Sequence, residues 1–180
     1  GARWLDLVLQ RCATPVAVLS CAGDAALALG IAPLQRALDH PSPVDLPDRL
    51  LSDPGLSVVT TRDPEYPPLL AQCSDRPPFL FFRGAPQHLT ARTLSIVGTR
   101  KPSVEGRRAA NEFAAAAARS GLSVVSGLAL GIDGIAHDAA LATGGCTIAV
   151  LPSGLDQIYP ARHQQLAERV ARGGARGREA

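Results

Sequence analysis

Ser95-Ile96-Val97-Gly98-Thr99-Arg100-Lys101 and Val124-Val125-Ser126-Gly127-Leu128-Ala129-Leu130-Gly131-Ile132-Asp133 share one layout, which constrains the fold more than any other stretch of the chain. In each, a short apolar run leads into glycine and then into a helical pattern. Short apolar runs of this kind are buried strands, and helix-length connections between them favour right-handed parallel crossovers. The chain therefore reads as α/β, with a parallel sheet whose ligand binds at the carboxyl ends of the strands.

The series extends on both sides of these turns. The pattern predicts a strand over Leu94 to Val97, a helix over Val104 to Arg119, a strand over Leu122 to Val125 and a helix over Asp133 to Leu141. A strand over Cys146 to Leu151 and a helix over Arg162 to Val170 follow. In the first helix, Ala109, Phe113 and Ala117 form a narrow apolar line, and the alanine run allows close approach to the sheet. Upstream, Ser57 to Thr61 and Pro78 to Phe82 are strand-like, with Asp63-Pro64 and Tyr66-Pro67-Pro68 as punctuation between them. The first fifty residues read as short helices: Leu5, Val8 and Leu9 fall at helical spacing, Gly23-Asp24 starts a second helix, and Pro33 opens a third. Asp39 to Pro54 is proline-rich and reads as a joint. The expected division is a small helical domain, 1–54, and an α/β domain, 55–180. The helical unit has two readings, a helix-hairpin-helix-like DNA contact or a packing module. The absence of a basic hairpin favours the second.

Composition narrows the class. At 46% hydrophobic and 19% charged, the chain has the balance of a soluble globular protein. Its longest apolar runs, such as Phe79 to Phe82, fall far short of the roughly 20 residues that span a bilayer. No leader pattern is present, so the expected compartment is cytoplasmic, with no membrane partner. Cys12, Cys21, Cys73 and Cys146 are scattered without metal-ligand spacing, and free thiols in a reducing compartment are expected. The chain starts at Gly1, has no methionine and finishes in a Gly/Arg tail, and it reads as a piece of a longer protein. In that reading its last strand presents an unpaired edge, and poor solubility or self-association is expected of the piece alone. Residues 1–94 hold 8 Arg and 9 Asp/Glu, whereas 95–180 hold 9 Arg, 1 Lys and 7 Asp/Glu. The net charges of −1 and +3 place the likelier anion-binding surface in the second half.

The turns themselves suit a phosphate. Arg100 and Lys101, the only lysine, add positive charge beside exposed backbone N–H groups, with Thr99 and Ser103 as further donors. The ordinary alternative is a solvated arginine after a tight turn. Neither the G-x-G-x-x-G fingerprint nor a Walker A loop is present. At the second turn Gly127 and Gly131 bracket a loop, Ser126 offers a hydroxyl near Gly98, and Asp133 is placed to cap the following helix. Asp133 and His137 stand at i, i+4, where a cap plus a semi-buried histidine outweighs a general base. Ser126 is not in a G-x-S-x-G elbow. Tyr159, ahead of Pro160, either stacks on a base or seals the loop.

Taken together, these residues resemble the DNA processing protein A family (DprA, also called Smf). The resemblance runs from Asp63-Pro64-Glu65-Tyr66-Pro67-Pro68-Leu69-Leu70 through Pro78-Phe79-Leu80-Phe81-Phe82-Arg83-Gly84. It continues through Ile96-Val97-Gly98-Thr99-Arg100, Ser126-Gly127-Leu128-Ala129, Gly131-Ile132-Asp133 and Ala136-His137, to Gly154-Leu155-Asp156 and Tyr159-Pro160. It implies a Rossmann-like parallel sheet with helices on both faces, preceded by a small all-helical, sterile-alpha-motif-like domain. It also implies a non-enzymatic protein with no cofactor and no metal. Such a protein binds single-stranded DNA during natural transformation, protects the incoming strand and helps load RecA onto it. Carried over, Arg100 contacts phosphate, Gly98, Thr99, Ser126 and Gly127 form the floor of the pocket, and Lys101 adds charge. Leu130 stands where many members have a basic or polar residue. The family's later part, with its arginine-asparagine-arginine segment, is associated with dimerisation and RecA contact and is not in this stretch.

Two other classes are weighed against this one. A Rossmann-like nucleotide or phosphoribosyl hydrolase of the lysine-decarboxylase-type group usually carries a Pro-Gly-Gly-x-Gly-Thr loop, which is missing here. The other is an interaction module whose pocket is vestigial.

Overall fold

The structure, a computed structural model, describes residues 55–152, 155 and 157–173. The helices expected within 1–54 lie outside these residues, as do Gly154, Asp156 and the tail after Gly173. The chain separates into two compact units, 1–82 and 83–180. The division expected between 1–54 and 55–180 falls at the margin of the described residues and stays a proposal.

In the first unit, β1 (Ser57–Thr60) pairs antiparallel with β2 (Phe79–Phe82), Ser57 opposite Phe82. The turn leaving β1 is tied back by Asp63, whose Oδ2 accepts from the Thr60 backbone N–H at 2.7 Å and from the Thr60 hydroxyl at 2.8 Å. Tyr66 is buried and its hydroxyl donates to the Pro77 carbonyl at 2.6 Å. A single helical turn, α1 (Pro68–Ala71), lies between the strands and starts on proline, whose fixed φ suits a first helical position. Asp63 and Tyr66 thus shape the connection between the two strands.

The second unit carries the βαβαβ series: β3 (Thr93–Ser95), α2 (Val104–Arg119), β4 (Ser123–Ser126), α3 (Ile132–Ala142), β5 (Thr147–Ala149) and α4 (Gln164–Gly173). The strands are parallel in the order β3-β4-β5, with Leu94 level with Val124 and Val124 level with Thr147. This is the expected α/β class, a Rossmann-like sheet flanked by helices. Right-handed crossovers between sequentially ordered strands carry α2 and α3 to the face to which Val124 points. There Val124 packs with Ala114, Ala117 and Ala118 of α2 and with Ala136 and Ala140 of α3. Alternation along the strands turns Val125 and Ile148 to the other face, where both are half-buried.

The apolar line expected through Ala109, Phe113 and Ala117 is corrected by this packing. Ala109 is exposed and Phe113 is 68% exposed, while Ala110, Ala114, Ala117 and Ala118 are buried. Closeness decides it. Alanines at i, i+4, i+7 and i+8 let the two helix backbones approach, whereas a phenylalanine ring in that seam would hold them apart. Ser103 ends the loop before α2 by accepting from the Gly106 N–H at 3.1 Å, an N-cap of the usual kind.

Candidate functional site

The site is built where β3, β4 and β5 end. The chain leaving β3 stays in the ladder for one more residue, with the Ile96 N–H donating to the Val125 carbonyl at 2.9 Å, and then turns through Gly98 and Thr99. The Lys101 N–H donates to Thr99 Oγ1 at 3.1 Å, which folds the first turn back on itself. Gly98, Thr99, Arg100 and Lys101 are all exposed, so both cations of this turn face solvent.

The second turn is held more tightly. Leu128 has φ +60° yet is fully buried, an uncommon backbone state for a branched side chain. Three contacts keep it there. Asp133 Oδ2 accepts from the Gly127 N–H at 3.1 Å, the Gly134 N–H donates to the Ala129 carbonyl at 3.1 Å, and His163 Nδ1–H donates to the Leu128 carbonyl at 2.8 Å. Gly131, at φ +83°, brings the two turns together, because the space a Cβ would need there is filled by the backbone of Thr99 and Arg100. The Ile132 N–H then donates to the Thr99 carbonyl at 3.2 Å.

Between the turns lies an open cavity of about 300 Å³, at the small end of the range for ligand sites. Arg100, Gly127, Leu130, Pro152, Tyr159 and Pro160 are among its lining residues. Of the residues singled out in the sequence, Arg100 and Gly127 therefore line one cavity. Ser126 is not among the described lining residues; it is buried, with its hydroxyl donating to the Ile96 carbonyl at 2.6 Å. That bond pins the first turn to β4. Gly98, Thr99 and Lys101 lie on the exposed turn beside the cavity.

Two local expectations change. Asp133 does not cap its own helix: the N-cap position of α3 is Gly131, with no side-chain cap, and the carboxylate instead holds the Gly127 N–H. The N-terminus of α2 is also answered from within the chain. Ser103 Oγ takes the Gly106 N–H, and hydrogen bonds from its own backbone and from Ser103 hold the Glu105 carboxyl below its usual range. The cationic side chains beside this helix end are those of Arg100 and Lys101, both exposed.

His137 is fully buried in α3. Thr147 Oγ1 donates to the Val124 carbonyl at 2.7 Å, so it accepts from His137 Nδ1–H, also at 2.7 Å. Nε2 is left without a partner among the described residues. Burial pushes the imidazole down to about 4, against the smaller opposing pull of Asp133 and Asp138. It is neutral at physiological pH and faces a core threonine, the structural role expected of it. His163 was not legible as a site residue. Its partners, the Leu128 carbonyl and the space beside Gly134, are about thirty residues away in sequence, and no local pattern announces them.

Comparison with known proteins adds to this geometry. The family described as DNA recombination-mediator protein A matches residues 57–176. Protein Smf of Synechocystis is 43% identical over 117 residues, covering 63% of this chain and 29% of that protein. The X-ray structure of DNA processing protein A from Streptococcus pneumoniae superposes with a TM-score of 0.67 at 30% identity, covering 84% of this chain and 53% of the other. DNA processing protein A from Helicobacter pylori, described for its single-stranded DNA binding mode, gives a TM-score of 0.56 at 29% identity, covering 66% of this chain and 53% of the other. The chain thus spans under a third of the Synechocystis relative and about half of each solved chain. Among the described residues, no helix is long and apolar enough to cross a membrane.

Proposed function

Since the chain belongs to the DNA recombination-mediator protein A family, we propose that it binds single-stranded DNA through the phosphate backbone, without catalysis and without a cofactor. The observation that carries this is Arg100, exposed on a turn that Gly131 and Ser126 lock in place, and lining a cavity at the carboxyl ends of parallel strands. A guanidinium suits phosphate because its fork of N–H donors pairs with two oxygens at once. Gly98, Thr99, Lys101 and Gly127 complete the surface, with Ser126 pinning the first turn to β4. In the cell we place the activity in the cytoplasm, in DNA uptake by natural transformation. There the protein protects the incoming strand, and the longer protein dimerises and helps load RecA.

The test is a titration with single-stranded oligonucleotides at several salt concentrations. Binding is expected to weaken steeply as salt rises, because each neutralised phosphate releases counterions. Arg100→Ala is expected to weaken binding roughly tenfold or more, the loss of a charge-assisted contact being about 1.5–3 kcal/mol. Its melting temperature should stay nearly unchanged, because Arg100 is exposed. Equal affinity for duplex and single strands, or salt-independent binding, would sink the reading. A nucleotide hydrolysis assay run alongside should show no turnover.

A further inference from the structure

We propose that His163 is a positioning residue for the bound strand: it holds two walls of the cavity together from behind, and the affinity for single-stranded DNA depends on that hold. This rests on the single-strand reading above and adds to it a residue outside the described lining. One wall is the second turn, with Gly127, Ala129 and Leu130, and the other is the segment after β5, with Tyr159 and Pro160. His163, half-buried, joins the two. Its backbone N–H donates to the Pro160 carbonyl at 2.8 Å, and its Nδ1–H donates to the Leu128 carbonyl, also at 2.8 Å. A carbonyl only accepts, so this contact assigns the ring proton to Nδ1. The ring also rests against α3, because a Cβ on Gly134 would lie 2.7 Å from its Cε1. The imidazole is thus wedged between Leu128 and the first turn of that helix.

The second turn needs such a hold. Leu128 stands at φ +60°, where a branched side chain is uncommon. Two of its restraints, the Asp133 carboxylate on the Gly127 N–H and the Gly134 N–H on the Ala129 carbonyl, come from the start of α3. They tie the turn to the helix that follows it. Of the three restraints, His163 alone reaches across from the segment that carries Tyr159 and Pro160, 35 residues along the chain from Leu128. Without it the turn samples states in which the cavity is not formed, and the apparent affinity falls with the fraction that stays competent.

The experiment titrates the full 180-residue chain with a labelled thymidine oligomer at several salt concentrations, below the melting temperature of every variant. His163→Asn carries its amide N–H on Cγ, where Nδ1 stands, and should bind as the wild type does. His163→Leu branches at the same atom but has no donor, and His163→Gln places its amide one bond too far out. Both should bind about tenfold more weakly. Their salt slopes should match the wild type, because the phosphates contacted are the same, whereas Arg100→Ala should lower the slope by about one. A merely structural histidine would lower the melting temperature and leave the affinity of the folded protein untouched. Positioning is overturned if the folded leucine and glutamine variants bind normally, if the asparagine variant is as weak as the glutamine one, or if their salt slopes fall as that of Arg100→Ala does. The asparagine and glutamine pair decides the matter even if His163→Leu folds poorly. A wild type that does not bind, or an Arg100→Ala that binds undiminished, overturns the single-strand reading itself.

Discussion

Gly131→Ala is expected to destabilise the second unit by roughly 3 kcal/mol or more, lowering its melting temperature by about 12–24 °C. Two costs combine at this position. At φ +83° and ψ −126°, a backbone state that glycine alone adopts readily, an alanine costs about 1–3 kcal/mol. Its Cβ would also be driven into the backbone of Thr99 and Arg100, atoms that cannot rotate aside as a side-chain tip can. Gly144→Ala separates the two costs. Gly144 has φ +72°, but no atom lies within 4 Å of a Cβ built there, so only the conformational penalty of about 1 kcal/mol applies. Thermal unfolding of both variants checks this, and equal shifts would show that the two turns are not packed as described. Because Gly131 seats the turn that carries Arg100, its substitution should also weaken single-strand binding in the protein that remains folded.

The second large effect concerns acid. His137 holds its proton only below about pH 4 in the folded protein, against an ordinary value of 6.5. Between those values the unfolded chain binds the proton and the folded chain does not, so stability falls as pH drops from 6.5 towards 4. Above pH 6.5 this group has no effect. The full loss approaches roughly 3 kcal/mol, and about 2 kcal/mol of it should be present at pH 5. Urea unfolding at pH 7 and pH 5 measures it. His137→Asn keeps a donor where Nδ1 meets Thr147 and removes the titration. That variant should be less stable at pH 7 but lose much less on going to pH 5. An undiminished acid loss in His137→Asn would assign the effect to other groups. His137→Ala is expected to cost about 3 kcal/mol at pH 7, through a buried cavity and an abandoned Thr147 hydroxyl. Single-strand binding of its folded fraction should be close to normal.

Element types in the second unit were legible because three short apolar strands alternate with helix-length segments. The expected bounds of α2, Val104 to Arg119, match the observed helix. Which face of α2 is buried was not legible. Periodicity marks Phe113 as apolar, but it carries no information on how closely a neighbouring helix approaches, and the alanine seam follows from that approach. The same limit applies to the site. Glycine followed by Arg100 announces a phosphate-suited turn, and Arg100 does line the cavity. The sequence could not show that Asp133 reaches back to the Gly127 N–H, that Ser126 points down to the Ile96 carbonyl, or that His163 braces Leu128. Those contacts depend on tertiary closure between segments whose local propensities say nothing about one another. Asp133 looks like a helix cap by position, but the tight loop ahead of α3 offers its carboxylate the half-buried Gly127 N–H instead.

The alanine seam between α2 and α3 also bears on heat capacity. The heat capacity of unfolding grows with the apolar surface released, and typical proteins reach about 12–15 cal/mol/K per residue. Here the core cluster is seven alanines around a single buried valine, so unfolding this part of the molecule bares little apolar area per residue. Its curve of stability against temperature is correspondingly broad and shallow. The helix pair is held by short-range dispersion across closely approaching backbones, an attraction that does not fade on cooling as the hydrophobic contribution does. The seam should therefore keep its grip in the cold better than a leucine-packed seam of the same length.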